Sequence, residues 1–110
     1  MEIHFHGKTF LAMAKETNFL TRISGLMFRT KETENLLFDF GHEGRWAIHS
    51  LFVFFPFLAL WLDRENNVLE YKVVKPFELS AAPSQDFAKL VEIPLNSGNR
   101  MKFSSFLSDY

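Results

Sequence analysis

Residues 51–62 run Leu-Phe-Val-Phe-Phe-Pro-Phe-Leu-Ala-Leu-Trp-Leu, twelve positions without a polar side chain, and the charged stretch Asp63-Arg64-Glu65-Asn66-Asn67 follows at once. A membrane-spanning helix needs about 20 apolar residues, so this run is too short to be one. Extending it back to Trp46 takes in His49 and Ser50 and leaves Pro56 in mid-span. A proline in a helix interior costs about 3 kcal/mol. Ile48, Phe52, Val53, Phe54, Phe55, Phe57 and Trp61 suit extended backbone instead, and proline is tolerated where a strand starts, bulges or forms an edge. The run therefore reads as two strands, 46–55 and 57–63. On the first strand, Trp46, Ile48, Ser50, Phe52 and Phe54 share one face, and Ala47, His49, Leu51, Val53 and Phe55 the other. A strand apolar on both faces is buried on both, inside a sandwich or barrel or at a subunit interface.

The rest of the chain supplies partners for these strands. Residues 2–5 and 9–14 flank a turn at His6-Gly7-Lys8 and predict a short hairpin with Ile3 and Phe5 on one face. Residues 17–29 carry Phe19, Ile23, Leu26 and Met27 at helical spacing, with Thr17 or Asn18 as N-cap, and Leu20 and Phe28 widen the apolar stripe. Gly25 in that helix marks a close approach to a neighbouring strand. A polar linker at 31–35 leads to a strand at 36–40, and Gly41-His42-Glu43-Gly44 reads as a loop. Residues 68–74 alternate, with Leu69, Tyr71 and Val73 inward and Glu70 and Lys72 outward, forming a hairpin with 57–63. Residues 87–95 predict a strand with Val91, Ile93 and Leu95 on one face, and Pro94 implies an edge position or an early end. Residues 96–99 read as a turn, 101–106 as a last short strand, and 108–110 as a frayed end. About seven strands around one short helix predict an all-β domain, a compact sandwich or partly closed barrel.

At 110 residues the chain has room for a single domain, 1–110, with one core. Fourteen phenylalanines exceed what such a core needs, which places some of them at an interface and makes a homodimer an expectation. Twelve basic residues against thirteen acidic ones leave no field favouring nucleic acid or an anionic membrane surface. The absence of cysteine excludes disulfides, thiol catalysis and thiolate metal sites. The start, Met1-Glu2-Ile3-His4-Phe5-His6, lacks the charged and apolar regions of a secretion signal, so a cytoplasmic protein without a membrane span is expected.

Several short motifs occur in a fixed order: Arg22-x-x-Gly25-Leu26-Met27-Phe28-Arg29, Leu36-Leu37-Phe38-Asp39-Phe40, Ile48-His49-x-x-Phe52-Val53-x-Phe55-Pro56, Trp61-Leu62-Asp63 and Val91-Glu92-Ile93-Pro94. Over residues 14–95 this pattern resembles a widespread prokaryotic family labelled domain of unknown function 192. The resemblance implies an all-β sandwich with one helix and brings no established activity; Gly25, Leu26, Met27, Phe55 and Pro56 are the residues of its motifs. The chain departs from the family at Phe57-Leu58, where an aliphatic residue and Asp are usual, at Leu95-Asn96, where a small residue and Gly are usual, and near the C-terminus, where a Gly-Asp pair is missing. If the family's Asp faces a polar pocket with the helix arginines, Leu58 here borders that pocket and tolerates a carboxylate.

Candidate chemistry is sparse. His4 and His6, two apart on a strand, share a face at a spacing found in metal sites. With no third ligand they read as surface histidines, and neither a metal nor another cofactor is expected. His42-Glu43 sits in a glycine-bounded segment and reads as a solvated loop. Arg22 and Arg29, seven apart, lie on about one helix face and are spaced to clamp an anion, or each pairs with a carboxylate such as Asp39 or Glu92. His49, set among apolar residues, is a core or interface histidine with one hydrogen-bond partner, or a third ligand contact. No Ser-His-Asp order, phosphate-cradling glycine loop or carboxylate pair assigns a catalytic residue.

The reading that follows is a non-enzymatic binding or interaction module, recognising a protein or small-molecule partner. Its rival is a small enzyme or ligand pocket centred on Arg22, Arg29 and His49. The helix reading is tested at Gly25: a valine there should destabilise the protein by about 1–3 kcal/mol through overpacking, despite its better helix propensity. Denaturant melts of Gly25→Val and wild type measure the difference, and equal stability would remove the close contact.

Overall fold

A computed structural model describes residues 1–17, 34–44, 55–77 and 81–107. The chain opens with an antiparallel hairpin of β1 (Glu2–Phe5) and β2 (Lys8–Leu11), in the register Ile3↔Phe10, His4↔Thr9 and Phe5↔Lys8. Lys8 is paired, so the turn is the two-residue His6-Gly7 and not the expected three. Both turn residues have positive φ, +50° and +75°, as a tight turn matching strand twist demands. Glycine adopts this freely, whereas a side chain at His6 is held in a sparsely populated region. His6 thereby leaves the strand, and the shared face expected for His4 and His6 does not form.

The remaining strands make one sheet in the order β3-β4-β7-β5-β6. They are β3 (Ala14–Thr17), β4 (Asn35–Gly44), β5 (Phe57–Leu62), β6 (Val68–Val74) and β7 (Phe87–Pro94). β3 runs parallel to β4, and every other neighbouring pair is antiparallel. The predicted hairpin of 57–63 with 68–74 is present as β5–β6. One detail differs from expectation, and one alternative is decided. Residues 41–44 belong to β4 and are not a loop: Gly41, at φ +80°, allows a register shift after Asp39, and pairing resumes at Gly44↔Phe87. β7 is a central strand between β4 and β5, and Pro94 is its last residue. Proline there ends a strand instead of marking an edge, because no further ladder bond is asked of its nitrogen.

Every residue of β5 is buried, and alternation divides the strand between two apolar clusters. Phe57, Ala59 and Trp61 join Leu36, Phe38, Phe55, Val74, Phe87 and Leu90 on one face. Leu58, Leu60 and Leu62 join Val91, Ile93 and Leu95 on the other, with Ile3 of the hairpin and Phe103 and Phe106. The hairpin and the five-stranded sheet thus enclose the second cluster as in a sandwich. A register shift between Trp61 and Leu62 takes β6 out of strict alternation. Leu69 consequently packs against the first cluster and Val73 against the second. Tyr71 is 40% exposed and not inward as expected, resting its ring edge-on against Phe5 and Phe106 at 5.4 and 5.1 Å between centroids.

The C-terminal part corrects the expected turn and strand. Residues 97–102 form a short helix, α1 (Ser97–Lys102), followed by a single 3-10 turn, Ser104–Phe106. The Asn96 side chain caps α1 by accepting from the Asn99 backbone N–H at 2.8 Å, and Arg100 and Lys102 stand in its last turn, where cations suit the helix dipole. The decisive pattern is Phe103 and Phe106, both buried in the second cluster while Met101 is 81% exposed. Three residues apart, the two rings would fall on opposite faces of a strand, whereas helical spacing brings them to one side. Of the helix expected at 17–29 only Thr17 is described, as the last residue of β3; Arg22, Gly25, Leu26, Met27 and Arg29 lie outside the described residues, as does most of the strand expected at 46–55, with His49. No described helix is long and apolar enough to cross a membrane.

Among the described residues, two buried polar groups sit on the first-cluster face. The Trp61 indole Nε1 is buried with no hydrogen-bond partner among the described residues. Glu92 is 6% exposed, with Leu36 and Ala59 as its cross-strand neighbours. Burial pushes its carboxyl up to about 8, so the group is protonated at neutral pH. Leu58, for its part, is wholly buried between Val73 and Ile93 in the second cluster, an ordinary core residue and not the border of a polar pocket.

Two outcomes are expected. Leu58→Asp should lose at least about 3 kcal/mol, while Leu58→Met loses less than about 1.5, read from urea melts; an aspartate tolerated as well as methionine would contradict the packing. For Glu92, the unfolded carboxyl ionises near its ordinary 4.5 and the folded one near 8, so the unfolded state sheds its proton first. Stability should therefore fall as pH rises between those values and level off above them, by on the order of 4 kcal/mol in all. Melts of wild type and Glu92→Gln across this range should show the slope in wild type and its loss in the variant.

Candidate functional site

The turn between β5 and β6 is fixed by Asp63. Its Oδ1 accepts from the backbone N–H groups of Glu65 and Asn67, both at 2.9 Å, and its Oδ2 accepts from Asn67 Nδ2 at 3.0 Å. Burial alone would raise this carboxyl, but the hydrogen bonds from Asn67 and Glu65, with Lys89 nearby, hold it below the ordinary value. The chain then turns through Asn66 at φ +66°, a conformation asparagine tolerates better than most side chains. Two ties fasten the turn to the sheet. Lys89 of β7 donates to Asn66 Oδ1 at 2.8 Å, and Arg64 Nη1 meets Asp39 Oδ1 of β4 at 2.8 Å. Arg64 and the Gly41 N–H together lower the Asp39 carboxyl against the smaller opposing effect of burial. Asp39, expected as a partner for the helix arginines, is thus engaged by Arg64.

Against this turn leans the N-terminal hairpin. The His4 backbone N–H donates to the Asn66 carbonyl at 2.9 Å, and His4 and Asn67 form a single parallel bridge. Between the hairpin turn and the β5–β6 turn lies an open cleft of about 330 Å³, lined by His4, Phe5, His6, Gly7, Lys8, Thr9, Asn67 and Val68. His4 and Thr9 face each other across the hairpin with Nδ1 and Oγ1 3.1 Å apart. The His6 ring lies against Phe5, with centroids 3.9 Å apart at a 52° tilt. Phe5 is in turn held by Phe106, 4.6 Å away, so the cleft wall is anchored in the second core cluster.

The lining combines hydrogen-bond donors with two apolar walls and contains no carboxylate. The side chains of Lys8 and His6 make no hydrogen bond or ion pair among the described residues. The His4–Thr9 pair places a hydroxyl beside an imidazole, but no described carboxylate orients the ring as a general base requires. No group of three His, Cys, Asp or Glu side chains among the described residues is placed to hold a metal ion.

The sequence had singled out His4 and His6 for their spacing; the cleft unites them with Lys8, Thr9 and Asn67 through a turn that periodicity does not register. The other expected contacts, Arg22, Arg29 and His49, lie outside the described residues. Of the motif residues, Phe55 is buried in the first cluster, and the Pro56 carbonyl accepts from the Leu95 N–H at 3.1 Å.

Two solved structures share this architecture. One is a Sinorhizobium meliloti 1021 protein (R01717) described as a candidate transcription regulator, with a TM-score of 0.74 and 19% identity over 91% of this chain and 81% of that one. The other, a protein of unknown function from Novosphingobium aromaticivorans DSM 12444, has a TM-score of 0.66 and 17% identity over 86% of this chain and 70% of that one. At such identities the likeness is one of fold alone. No curated protein matches the chain. The model of the family domain of unknown function 192 (DUF192, uncharacterized ACR) matches residues 2–104, and the chain belongs to that family.

Proposed function

We propose that the protein is a non-enzymatic binding module, a single domain that takes a small molecule in the cleft between its first hairpin and the β5–β6 turn. The observation that carries this reading is the convergence of donors from two separate elements on one concavity of about 330 Å³. That volume lies at the small end of the range for ligand sites, and the lining, with five polar side chains beside Phe5 and Val68, is more polar than the usual one and suits a polar ligand. The Asp63 network supports it further by holding Asn67 in place before any ligand arrives, which lowers the ordering cost of binding. The near balance of basic and acidic residues argues against nucleic acid as the partner. A reducing, cytoplasmic setting suits a chain without cysteine. Exposed Leu11 and Met13, 65% and 84% accessible, give a homodimer an apolar surface to use.

The test is a small-molecule panel titrated into labelled protein and read by amide NMR. Shifts confined to residues 4–9 and 66–68 are expected. Thr9→Phe, which fills the cleft from an exposed strand position, should remove them without loss of stability. Hits that shift amides elsewhere only, or a panel with no hit at all, would overturn the proposal.

A further inference from the structure

We infer that the cleft recognises a small tetrahedral oxyanion, of the phosphate or phosphate-monoester class, an inference that rests on reading the cleft as the binding site. Three nitrogen-bearing side chains that carry or accept positive charge, His4, His6 and Lys8, border a concavity whose lining holds no carboxylate. Asp63, the acid bonded to the lining residue Asn67, directs its oxygens to two backbone N–H groups and the Asn67 amide. The Lys8 ammonium therefore meets no carboxylate among the residues that line the cleft, an arrangement that leaves it available to an anionic ligand. The side chains of Lys8 and His6 also make no hydrogen bond or ion pair among the described residues, so no internal hydrogen bond must be broken for them to turn to a ligand.

His6 adds a second, independent line. It occupies the first position of a two-residue turn at φ +50°, where asparagine, aspartate or glycine would sit with less strain. Strained positions of this kind cluster where a side chain serves a purpose other than folding. The strain here carries the imidazole to the cleft and lays it against Phe5. Thr9 adds a hydroxyl, positioned by the His4 ring 3.1 Å away. Phe5 and Val68 supply an apolar wall for the organic part of an ester. Nitrogen donors set beside an aromatic ring in a small cleft match a phosphate monoester better than a long or uncharged ligand.

The experiment titrates the full chain with inorganic phosphate, phenyl phosphate and uncharged benzyl alcohol, reading amide and imidazole NMR shifts at low and high sodium chloride. Shifts of residues 4–9 and 67 by phosphate or phenyl phosphate, weakened at high salt, are expected. Lys8→Gln should weaken phosphate binding at least about tenfold, the loss of one charge-assisted hydrogen bond, and His6→Asn, which keeps the turn's positive φ but withdraws the imidazole, should weaken it as well. Tighter binding of phenyl phosphate than of inorganic phosphate would assign the monoester, and equal binding the free ion. Binding of benzyl alcohol in the cleft with no response to either phosphate would overturn the oxyanion and leave the binding module standing. No shift in the cleft from any of the three, or phosphate shifts unchanged in both variants, would also overturn it.

Discussion

The burial of β5 and β7 on both faces is the constraint from which the rest of the structure follows. All six residues of β5 are buried, and β7 is buried at every position but Lys89. A strand with two dry faces needs a neighbour on each edge and cover above and below, since an unpaired backbone group away from water is costly. β7 lies between β4 and β5, and β5 between β7 and β6, so the ladder is complete on both. Cover for the second face comes from elements remote in sequence: Ile3 from the hairpin, and Phe103 and Phe106 from the C-terminal turns. The aromatic excess of the chain is partly spent there, in a series of ring contacts from Phe10 and Phe5 through Phe106 to Tyr71.

The same two-sidedness explains the polar residues that sit awkwardly in the core. Glu92 alternates with Val91 and Ile93, so it must face the opposite side of the sheet from them. In a sheet with one wet face that side would be solvent, and the carboxylate would be charged. Here it is a second apolar cluster, and the carboxyl keeps its proton. The Trp61 indole lies on that face too, contributing a large apolar surface while its N–H lacks a described partner. Packing has prevailed over polar satisfaction at Trp61, and over charge at Glu92.

The cleft owes its shape to a different balance. Asp63 ends β5, and its three accepted hydrogen bonds fold the next four residues back into a rigid turn. Lys89 and Arg64 bind that turn to β7 and β4, and the His4 N–H couples it to the hairpin. Surface ion pairs such as Arg64–Asp39 contribute little stability individually. Their effect here is positional: two turns made by separate hairpins are held at a fixed spacing, with Phe5 anchored in the core between them.

What the chain determines by itself is local. The β-branched and aromatic apolar run broken at Pro56 marked β5, alternation marked β6 and β7, and the run of Asp63-Arg64-Glu65-Asn66-Asn67 after the apolar stretch marked the hairpin between β5 and β6. The all-β class follows from those elements. Beyond that reach were features decided by contacts between distant residues. Asn96 to Phe106 has apolar positions compatible with a strand or a helical turn, and the need to bring Phe103 and Phe106 to one cluster chose the latter. Pro94 is equally consistent with an edge or a strand end, and the placement of β7 between β4 and β5 chose the end. Leu58 and Glu92 show the reason most plainly: whether a residue's face is core, pocket or solvent depends on what the rest of the chain lays over it. Periodicity reports which side chains share a face, and only the tertiary fold says what that face meets.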